Sequence, residues 1–166
     1  MSLSQISLFP TLPEDLAIIL AMETALENAL YVRHWTKEQH RAALDKPDLA
    51  HLKIVLDNET LGYVILVGIT NIDRSIEFKR IVVQPKGRGI GRQTIRLIKD
   101  LVFNHYQAHR LWLEVILDNT KAYNLYLSEG FIEEGIHRES LKQDDCFIDL
   151  KVMSILEREY RLNARS

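Results

Sequence analysis

Three glycines at alternating positions, Gly87, Gly89 and Gly91, separate a run of β-branched residues from a helical pattern. The run over residues 76–83 predicts a strand, and the apolar residues from position 90 keep helical spacing up to about residue 106. Glycine lets the backbone approach a ligand closely, and the first amides of a helix lack partners within the helix. A strand, a glycine loop and a helix N-terminus in this order favour binding of an anion such as phosphate.

The residues around these glycines add positive charge to the predicted anion site. The helix dipole also favours negative charge at this end of the helix. The loop consists of Lys86, Gly87, Arg88, Gly89, Ile90, Gly91 and Arg92, of which Lys86, Arg88 and Arg92 carry the positive charge. A flexible turn with solvated basic side chains is the alternative interpretation. The spacing matches neither the dinucleotide fingerprint nor the P-loop, so neither nicotinamide binding nor nucleotide hydrolysis is supported.

The rest of the chain alternates between strand and helix patterns. Thr36 and Gln39 have the spacing of a capping box, which predicts a helix that begins at Lys37. Strands are predicted over residues 5–9, 50–56, 61–69, 76–83, 109–117, 131–137 and 146–156. Helices are predicted from residue 13, over residues 37–44, from residue 90 to about 106, and over residues 119–128. This order predicts one α/β domain over residues 1–166 with a mixed sheet.

The composition argues against several classes of function. The 166 residues carry 21 Lys and Arg against 23 Asp and Glu, so nucleic acid is not an expected partner. The most apolar run, residues 61–69, is far shorter than the ~20 residues of a membrane-spanning helix, so no membrane contact is expected. The single cysteine, Cys146, cannot form an internal disulfide, which favours the cytoplasm. The six histidines form no metal-binding motif, and no metal is expected.

Two blocks of the sequence resemble a known family. Residues 82–91 read Val-Val-Gln-Pro-Lys-Gly-Arg-Gly-Ile-Gly, which resembles motif A of the GNAT superfamily of N-acetyltransferases. Lys86 stands where that motif has Gln or Arg, and it keeps a cation there. Residues 119–131 read Asn-x-x-Ala-x-x-Leu-Tyr-x-x-x-Gly-Phe, which resembles the downstream helix of the family and the strand that follows it.

The resemblance implies a fold, a cofactor and its contacts. The implied fold is a mixed, mostly antiparallel central sheet of about six or seven strands with about four flanking helices, and acetyl-CoA is the implied acetyl donor. The backbone of Ile81, Val82 and Val83 would contact the pantetheine arm, while the amides from Gly87 to Arg92 would hold the pyrophosphate. A pantetheine contact is also implied for Asn119, which is equally suited to cap the helix that it begins.

Tyr126 matches the general acid of the family by position. A phenol of pKa ~10 can donate a proton to a departing thiolate whose conjugate acid has a pKa near ~8.5. The alternative is packing, because Tyr123 and Tyr126 lie three residues apart on one helix face.

Glu77 is the candidate base that removes a proton from the amine. Strand alternation places it on the same face as Ile81 and Val83, beside the implied thioester arm. An ion pair with a neighbouring cation of the strand is the alternative. Glu114 is a second candidate for the base, although it could equally pair with Arg110.

The implied reaction is acetyl transfer to a primary amine by direct attack in a ternary complex. The segment from Gly130 to Met153 resembles a branch that includes spermidine and ribosomal-protein N-terminal acetyltransferases. Four acceptors stay open: a polyamine, an amino sugar, an antibiotic amine and a peptide N-terminus. A homodimer stays open as the oligomeric state. The acidic residues that could attract a polycation are Glu23, Glu27, Glu133, Glu134 and Asp149.

Two rival interpretations use the same residues differently. A non-catalytic CoA-binding regulatory module would keep the glycine loop but would have no need of Tyr126. A nucleic-acid binder would use the cations from Lys86 to Lys99, but it lacks the interleaved aromatics that stack on bases. Trp35 either packs in the core or lines the acceptor pocket.

Overall fold

The structure of this chain, a computed structural model, describes residues 5–25, 28 and 30–163. The strands are β1 (Ser7–Pro10), β2 (Leu49–Leu56), β3 (Glu59–Val67), β4 (Ser75–Val83), β5 (Arg110–Ile116), β6 (Ile132–Gln143) and β7 (Cys146–Leu156). The helices are α1 (Leu16–Thr24), α2 (Lys37–Leu44), α3 (Ile90–Asp100), α4 (Thr120–Ser128) and α5 (Glu157–Asn163). A 3-10 turn, Pro13–Asp15, leads into α1, and a π turn, Leu101–His105, extends α3.

The seven strands form one sheet in the order β1-β2-β3-β4-β5-β7-β6. Neighbouring strands are antiparallel throughout, except for the parallel pair β4 and β5 at the centre. The parallel pair requires a crossover connection, which α3 provides. The predicted α/β fold with a mixed, mostly antiparallel sheet is confirmed.

Local interactions explain several element boundaries. The Thr36 hydroxyl accepts a hydrogen bond from the Gln39 amide at 3.1 Å, and the Gln39 side chain accepts one from the Thr36 amide at 2.8 Å. The predicted capping box therefore begins α2. Asp57 and Asn58 have φ angles of 48° and 67°, the left-handed values of a two-residue hairpin turn. The turn between β2 and β3 is thus shorter than the four residues predicted.

The two faces of the sheet bury separate apolar clusters. The main core lies on the face covered by α3 and α4, where Ile98, Phe103 and Leu111 are completely buried. The second core lies on the opposite face, where Leu16 and Ile19 of α1 pack onto β3 and β4. Each fully buried side chain of this size stabilises the fold by ~1.5–3 kcal/mol.

Two elements near the C-terminus differ from the prediction. The fifth helix, α5, was not predicted because charged residues dominate it and only Tyr160 packs inward, stacking on Phe103 at 4.9 Å. The strand predicted to end at His137 continues to Gln143, because β6 is an edge strand whose mostly exposed side chains show no alternation. None of the helices in the described ranges is long and apolar enough to cross a membrane.

Candidate active site

The two central parallel strands, β4 and β5, pair over three residues and then separate. Glu77 of β4 and Trp112 of β5 form the last pair. From there β4 continues to Val83 with β3 as its only partner strand in the described part of the chain. The edge of β4 toward β5 therefore offers backbone N–H and C=O groups to a ligand. We call this gap the wedge, and the predicted pantetheine contacts Ile81, Val82 and Val83 lie along it.

A β-bulge at Lys79 interrupts β4 beside the wedge. Ile65 of β3 pairs with Arg80, and the next residue, Leu66, pairs with Phe78, so Lys79 has no counterpart on β3. An extra residue reverses the phase of side-chain alternation. Side chains before and after Lys79 therefore follow opposite patterns.

The bulge separates Glu77 from the residues with which it was predicted to align. Ile81 and Val83 pack against the main core, whereas Val82 is buried in the second core. Glu77 precedes the bulge and pairs with Val67, which packs against the second core. The predicted shared face of Glu77, Ile81 and Val83 is wrong, because one inserted residue shifts the alternation. Glu77 lies on the second-core face, at the closed end of the wedge.

Glu77 is half-buried and has one ionic partner among the described residues. Lys79 Nζ lies 3.5 Å from Glu77 Oε1, as the alternative interpretation predicted. An ion pair of this kind at the surface contributes ~0.2–1 kcal/mol, so a ligand can displace it at little cost. The role of Glu77 as a base stays a prediction.

The glycine loop at the open end of the wedge has the shape of an anion cradle. Gly87 and Gly89 have φ angles of +83° and +73°, and a Cβ atom at either position would meet nothing within 4 Å. Gly89 is the N-cap of α3, and Ile90 is the first helical residue and is buried. The backbone thus leaves open space in front of amides that have no partner within the helix. Lys86 and Arg88 are exposed beside this space.

Gly91 and Arg92 serve the contact between α3 and α4. A Cβ atom at Gly91 would lie 3.7 Å from the Leu125 side chain. Arg92 Nη1 donates to Glu129 Oε1 at 2.6 Å and to Ser128 Oγ at 2.9 Å. The Arg92 guanidinium is therefore bound to α4 and its C-cap, and the Arg92 amide is the group that stays available to an anion.

Glu129 is a buried carboxylate with three cationic partners, and sequence reasoning missed it. Arg92, Arg96 and Lys99 all donate to its oxygens, at 2.6, 3.0 and 3.3 Å. Burial alone would raise the pKa of Glu129, but the hydrogen bonds from Arg96 and Arg92 outweigh burial and lower the pKa. The cations that a nucleic-acid binder would present on α3 are bound within the protein instead.

Tyr126 projects from α4 into the main core next to β4. Its ring lies edge-to-face with Phe78 at 6.2 Å and packs on Phe131 at 5.6 Å. Burial raises the pKa of the Tyr126 hydroxyl well above its ordinary value. The hydroxyl therefore stays protonated over the physiological range, which is the form that can donate a proton. Both predicted roles, packing and proton donation, remain compatible with this position.

Asn119 caps α4 as predicted. Its Oδ1 accepts a hydrogen bond from the Ala122 amide at 3.2 Å. The implied contact of Asn119 with the pantetheine arm stays a prediction. Glu114, the second candidate base, accepts a hydrogen bond from His137 at 2.6 Å. Arg110 does not pair with Glu114 but forms an ion pair with Glu134 at 2.5 Å.

The acidic residues predicted to attract a polycation are scattered. Glu133, Glu134 and Asp149 lie on β6 and β7, and each accepts a hydrogen bond within the protein, at 2.6, 2.6 and 2.7 Å. Glu27 lies outside the described residues. Glu23, the last of the set, is buried on α1.

Glu23 is the centre of a buried polar network on the second-core face. Its Oε1 atom accepts hydrogen bonds from Arg80 Nη1 at 2.7 Å, from His40 Nε2 at 3.0 Å and from the Tyr63 hydroxyl. Its Oε2 atom accepts from the Trp35 amide at 3.2 Å. One carboxylate thereby connects α1, α2, β3, β4 and the segment before α2.

The network continues from Glu23 through two imidazoles. His40 Nδ1 lies 3.0 Å from His51 Nε2, and His51 Nδ1 lies 2.9 Å from Thr11 Oγ1. With both imidazoles neutral, Thr11 donates to His51, His51 donates to His40, and His40 donates to Glu23. Every side-chain nitrogen and oxygen atom in this series of hydrogen bonds then has a partner.

Charge and burial shift two pKa values in this network. Burial alone would raise the pKa of Glu23, but the hydrogen bonds from His40 and Tyr63 and the charge of Arg80 lower it to about 2. Burial, with smaller effects of His40 and Arg80, lowers the pKa of His51 to about 4. The network is thus built around an ionised carboxylate, a guanidinium and a neutral His51.

Sequence reasoning did not find this network, although one signal was present. Glu23 follows Leu16 and Ile19 at helical spacing, so it falls on the buried stripe of α1. A carboxylate on such a stripe needs a buried partner.

Trp35, for which two roles were open, packs against the second core and under Arg80. No group of three or more potential metal ligands occurs within the described ranges.

Comparison with known proteins gives consistent matches. The model of the acetyltransferase (GNAT) family matches residues 18–131. Spermidine N(1)-acetyltransferase of Vibrio cholerae is 36% identical over 101 residues, which are 60% of this chain and 58% of that protein. This match therefore spans less than two thirds of that relative's length. The Escherichia coli K12 enzyme of the same name is 30% identical over 146 residues, 81% of this chain and 76% of that protein.

Solved structures extend the similarity to nearly the whole chain. Spermidine N-acetyltransferase from Vibrio cholerae in complex with CoA and spermine has a TM-score of 0.84 at 26% identity, covering 95% of this chain and 98% of that one. A chimera of the Vibrio cholerae enzyme has a TM-score of 0.85 at 27% identity, covering 95% and 99%. These solved structures therefore share the fold of nearly the whole chain.

Proposed function

Because this chain belongs to the acetyltransferase (GNAT) family and is an acetyl-CoA-dependent N-acetyltransferase, we propose that its acceptor is a linear polyamine such as spermidine. The relatives described above are spermidine acetyltransferases, and one solved relative holds CoA and spermine. A non-catalytic regulatory module of the same fold is not favoured, because these relatives are enzymes.

The observation that carries the proposal is the pair of carboxylates beside the closed end of the wedge. Glu77 of β4 is paired with Trp112 of β5, and Glu114 follows two residues later on the Trp112 face. No described residue of β5 belongs to the second core, where α1 packs onto β3 and β4 and α2 packs onto β2. Carboxylates and an indole ring together suit a flexible chain of ammonium groups.

The residues of the opposite face fit acetyl-CoA. The cradle at Gly87 and Gly89 is open in front of helix amides, as a pyrophosphate requires. The free edge of β4 at Ile81, Val82 and Val83 can bond to the amides of a pantetheine arm. When bound, acetyl-CoA supplies a thioester whose acetyl group an amine can attack. In our proposal the cofactor and the acceptor meet in the wedge from opposite faces of the sheet, in a ternary complex.

Two side chains move protons in this proposal. The Glu77 carboxylate takes a proton from the acceptor ammonium, directly or through water, because an amine of pKa ~10.4 is mostly protonated at neutral pH. The Tyr126 hydroxyl donates a proton to the departing thiolate. It does so from the main-core face, where Phe78 and Phe131 orient its ring. In this proposal Glu77 acts from the second-core face of the sheet and Tyr126 acts from the main-core face.

An acceptor screen tests the proposed substrate class. Purified protein is incubated with acetyl-CoA and, separately, spermidine, spermine, a diamine, an amino sugar and a peptide with a free N-terminus, and the released thiol is measured. We expect the highest kcat/KM with the polyamines, and mass spectrometry should show singly acetylated product. A higher kcat/KM with the peptide or the amino sugar would overturn the polyamine assignment while leaving the acetyltransferase activity intact.

A further inference from the structure

The Glu23 carboxylate fixes two groups on the acceptor side of the wedge. Its Oε1 atom holds the Arg80 guanidinium at 2.7 Å, and its Oε2 atom holds the Trp35 amide at 3.2 Å. Arg80 Cζ in turn lies 4.6 Å from the centroid of the Trp35 ring. Glu23 therefore determines where both the guanidinium and the indole lie.

Arg80 directly follows the bulge residue, Lys79, and lies on the same face of the sheet as Glu77. The bulge at Lys79 places the side chains of Glu77 and Arg80 on the same face, although three positions separate them. Arg80 is only 7% exposed, and a guanidinium cannot lose its proton in a protein. A positive charge fixed there would repel a cationic acceptor, and the repulsion would grow with the number of ammonium groups.

The charges around Arg80 cancel only because Glu23 is ionised. The described titratable groups that contact Glu23 are Arg80, His40, Tyr63 and, at 4.0 Å, His34. Tyr63 is neutral because burial raises the pKa of its hydroxyl. The charges of the Glu23 carboxylate and the Arg80 guanidinium then sum to zero. Without the carboxylate, one buried positive charge would remain beside Glu77.

We propose that Glu23 is a positioning residue for the acceptor, which neutralises Arg80 and holds it on Trp35 so that a polycation can approach Glu77. This inference rests on the proposed polyamine acceptor. It assigns to Glu23 an effect that depends on the charge of the acceptor, which a purely structural role does not produce.

Steady-state kinetics at saturating acetyl-CoA test the assignment with a monoamine, a diamine and spermidine. For Glu23→Gln, we expect KM for spermidine to rise about tenfold or more relative to KM for the monoamine, with the diamine between them. For Arg80→Gln, which leaves the carboxylate unneutralised, the ratio should change in the opposite direction. The charge-matched double variant Glu23→Gln/Arg80→Gln should return the ratio to within about threefold of the wild type.

Controls separate this effect from unfolding and from loss of cofactor binding. Glu59→Gln removes the same charge at the exposed β2–β3 turn and should leave all three KM values unchanged. Affinity for CoA by calorimetry should be unchanged in each folded variant.

Equal changes of KM for all three amines, or no opposite shift in Arg80→Gln, would overturn the role of Glu23. Arg80→Gln keeps the test decisive if Glu23→Gln does not fold. A wild-type enzyme that acetylates other amines but not spermidine would overturn the proposed acceptor, and this inference with it.

Discussion

Glu23 and Glu129 are both buried carboxylates bound by cations, on opposite faces of the sheet, but their partners differ. Glu23 is 1% exposed, and its partner Arg80 is 7% exposed, while His40 is completely buried. Glu129 is 3% exposed, but its partner Arg96 is 62% exposed. One carboxylate is the centre of an internal network, and the other anchors cations whose outer parts are in water.

This difference in the exposure of the partners determines how much stability each region loses when an ion pair is broken. When a buried charge loses its partner, no water replaces the lost interaction, and the cost is several kcal/mol. When an exposed cation loses a partner, solvent takes over much of its interaction. The face of the sheet around Glu23 is therefore expected to be the more rigid one, whereas the face around Glu129 uses cations that solvent can screen.

Replacement of Glu23 should have the largest effect on stability. Glu23→Gln removes the only carboxylate that balances Arg80 within the described network, and we expect the free energy of unfolding to fall by ~3–5 kcal/mol. Urea unfolding at neutral pH measures this change. Glu59→Gln at the exposed turn is the control, with an expected change within ~0.5 kcal/mol. A loss below ~1 kcal/mol for Glu23→Gln would mean that the network is not rigid.

Removal of the Tyr126 hydroxyl should affect turnover rather than cofactor binding. Tyr126→Phe keeps the ring that packs on Phe78 and Phe131 and deletes one proton, so we expect kcat to fall ~10²-fold or more, equal to ~2.7 kcal/mol. Stopped assays give kcat, and calorimetry gives the affinity for acetyl-CoA. Tyr123→Phe is the matched control, since the Tyr123 hydroxyl donates to Glu133 at 2.6 Å and should not affect turnover. Wild-type turnover in Tyr126→Phe would exclude it as the proton donor.

The buried imidazole His51 should make the protein sensitive to mild acid. Its pKa is about 4 in the folded protein against an ordinary value of 6.5, so between these values the unfolded chain binds more protons. Stability should therefore be full above pH 6.5 and fall as the pH drops toward 4, by ~2 kcal/mol between pH 6.5 and pH 5.

The same measurement on His51→Gln isolates this contribution. Glu23, whose pKa is lowered from 4.5 to about 2, loses its contribution only below pH 4.5, and Glu129 likewise titrates below its ordinary value. The slope of stability against pH between 6.5 and 5 should thus become smaller in His51→Gln. An unchanged slope would show that the buried imidazole does not stay neutral.

Loss of the proposed base should matter most near neutral pH. In Glu77→Gln, we expect the rate at subsaturating amine to fall about tenfold near neutrality, a difference of ~1.4 kcal/mol, with a smaller loss at high pH where free amine is abundant. Matched pH-rate profiles of the wild type and the variant measure this convergence. Parallel profiles would mean that Glu77 is structural and that Glu114 or a water chain acts as the base.

Replacement of Glu129 should have the smallest effect on stability. Arg92 and Arg96 are 43% and 62% exposed, and the more buried Lys99 keeps its hydrogen bond to the Glu129 carbonyl, so we expect Glu129→Gln to lower the free energy of unfolding by only ~1 kcal/mol. The loss should shrink further at an ionic strength of ~1 M, where the Debye length is ~3 Å. Urea unfolding at two salt concentrations checks both statements. A salt-independent loss as large as that of Glu23→Gln would remove the contrast between the two faces.

Local signals in the sequence predicted most of the fold and the position of the glycine loop. The capping box at Thr36 and Gln39, the strand that leads into the glycine loop and the cap at Asn119 involve residues within a few positions of one another. Short-range patterns of this kind do not depend on the topology. The glycine loop has the predicted position between β4 and α3 for the same reason.

The acceptor side could not be predicted in the same way. Glu23 and Arg80 are 57 positions apart, and only the strand order brings them together. The bulge at Lys79 adds one residue to β4, so Glu77 and Arg80 share a face, whereas simple alternation assigns them to opposite faces. Alternation alone therefore placed Glu77 beside Ile81, and no periodicity could show the insertion.

The central claim is that cofactor and acceptor meet in the wedge from opposite faces of the sheet, and amide chemical shifts of the ¹⁵N-labelled protein test it directly. CoA should shift the amides of Ile81, Val82, Val83 and the glycine loop from Gly87 to Arg92. Subsequent addition of spermidine should shift Glu77 and the indole N–H of Trp112. Spermidine shifts confined to the acidic residues of β6 and β7, or CoA shifts that leave the glycine loop unchanged, would contradict the account.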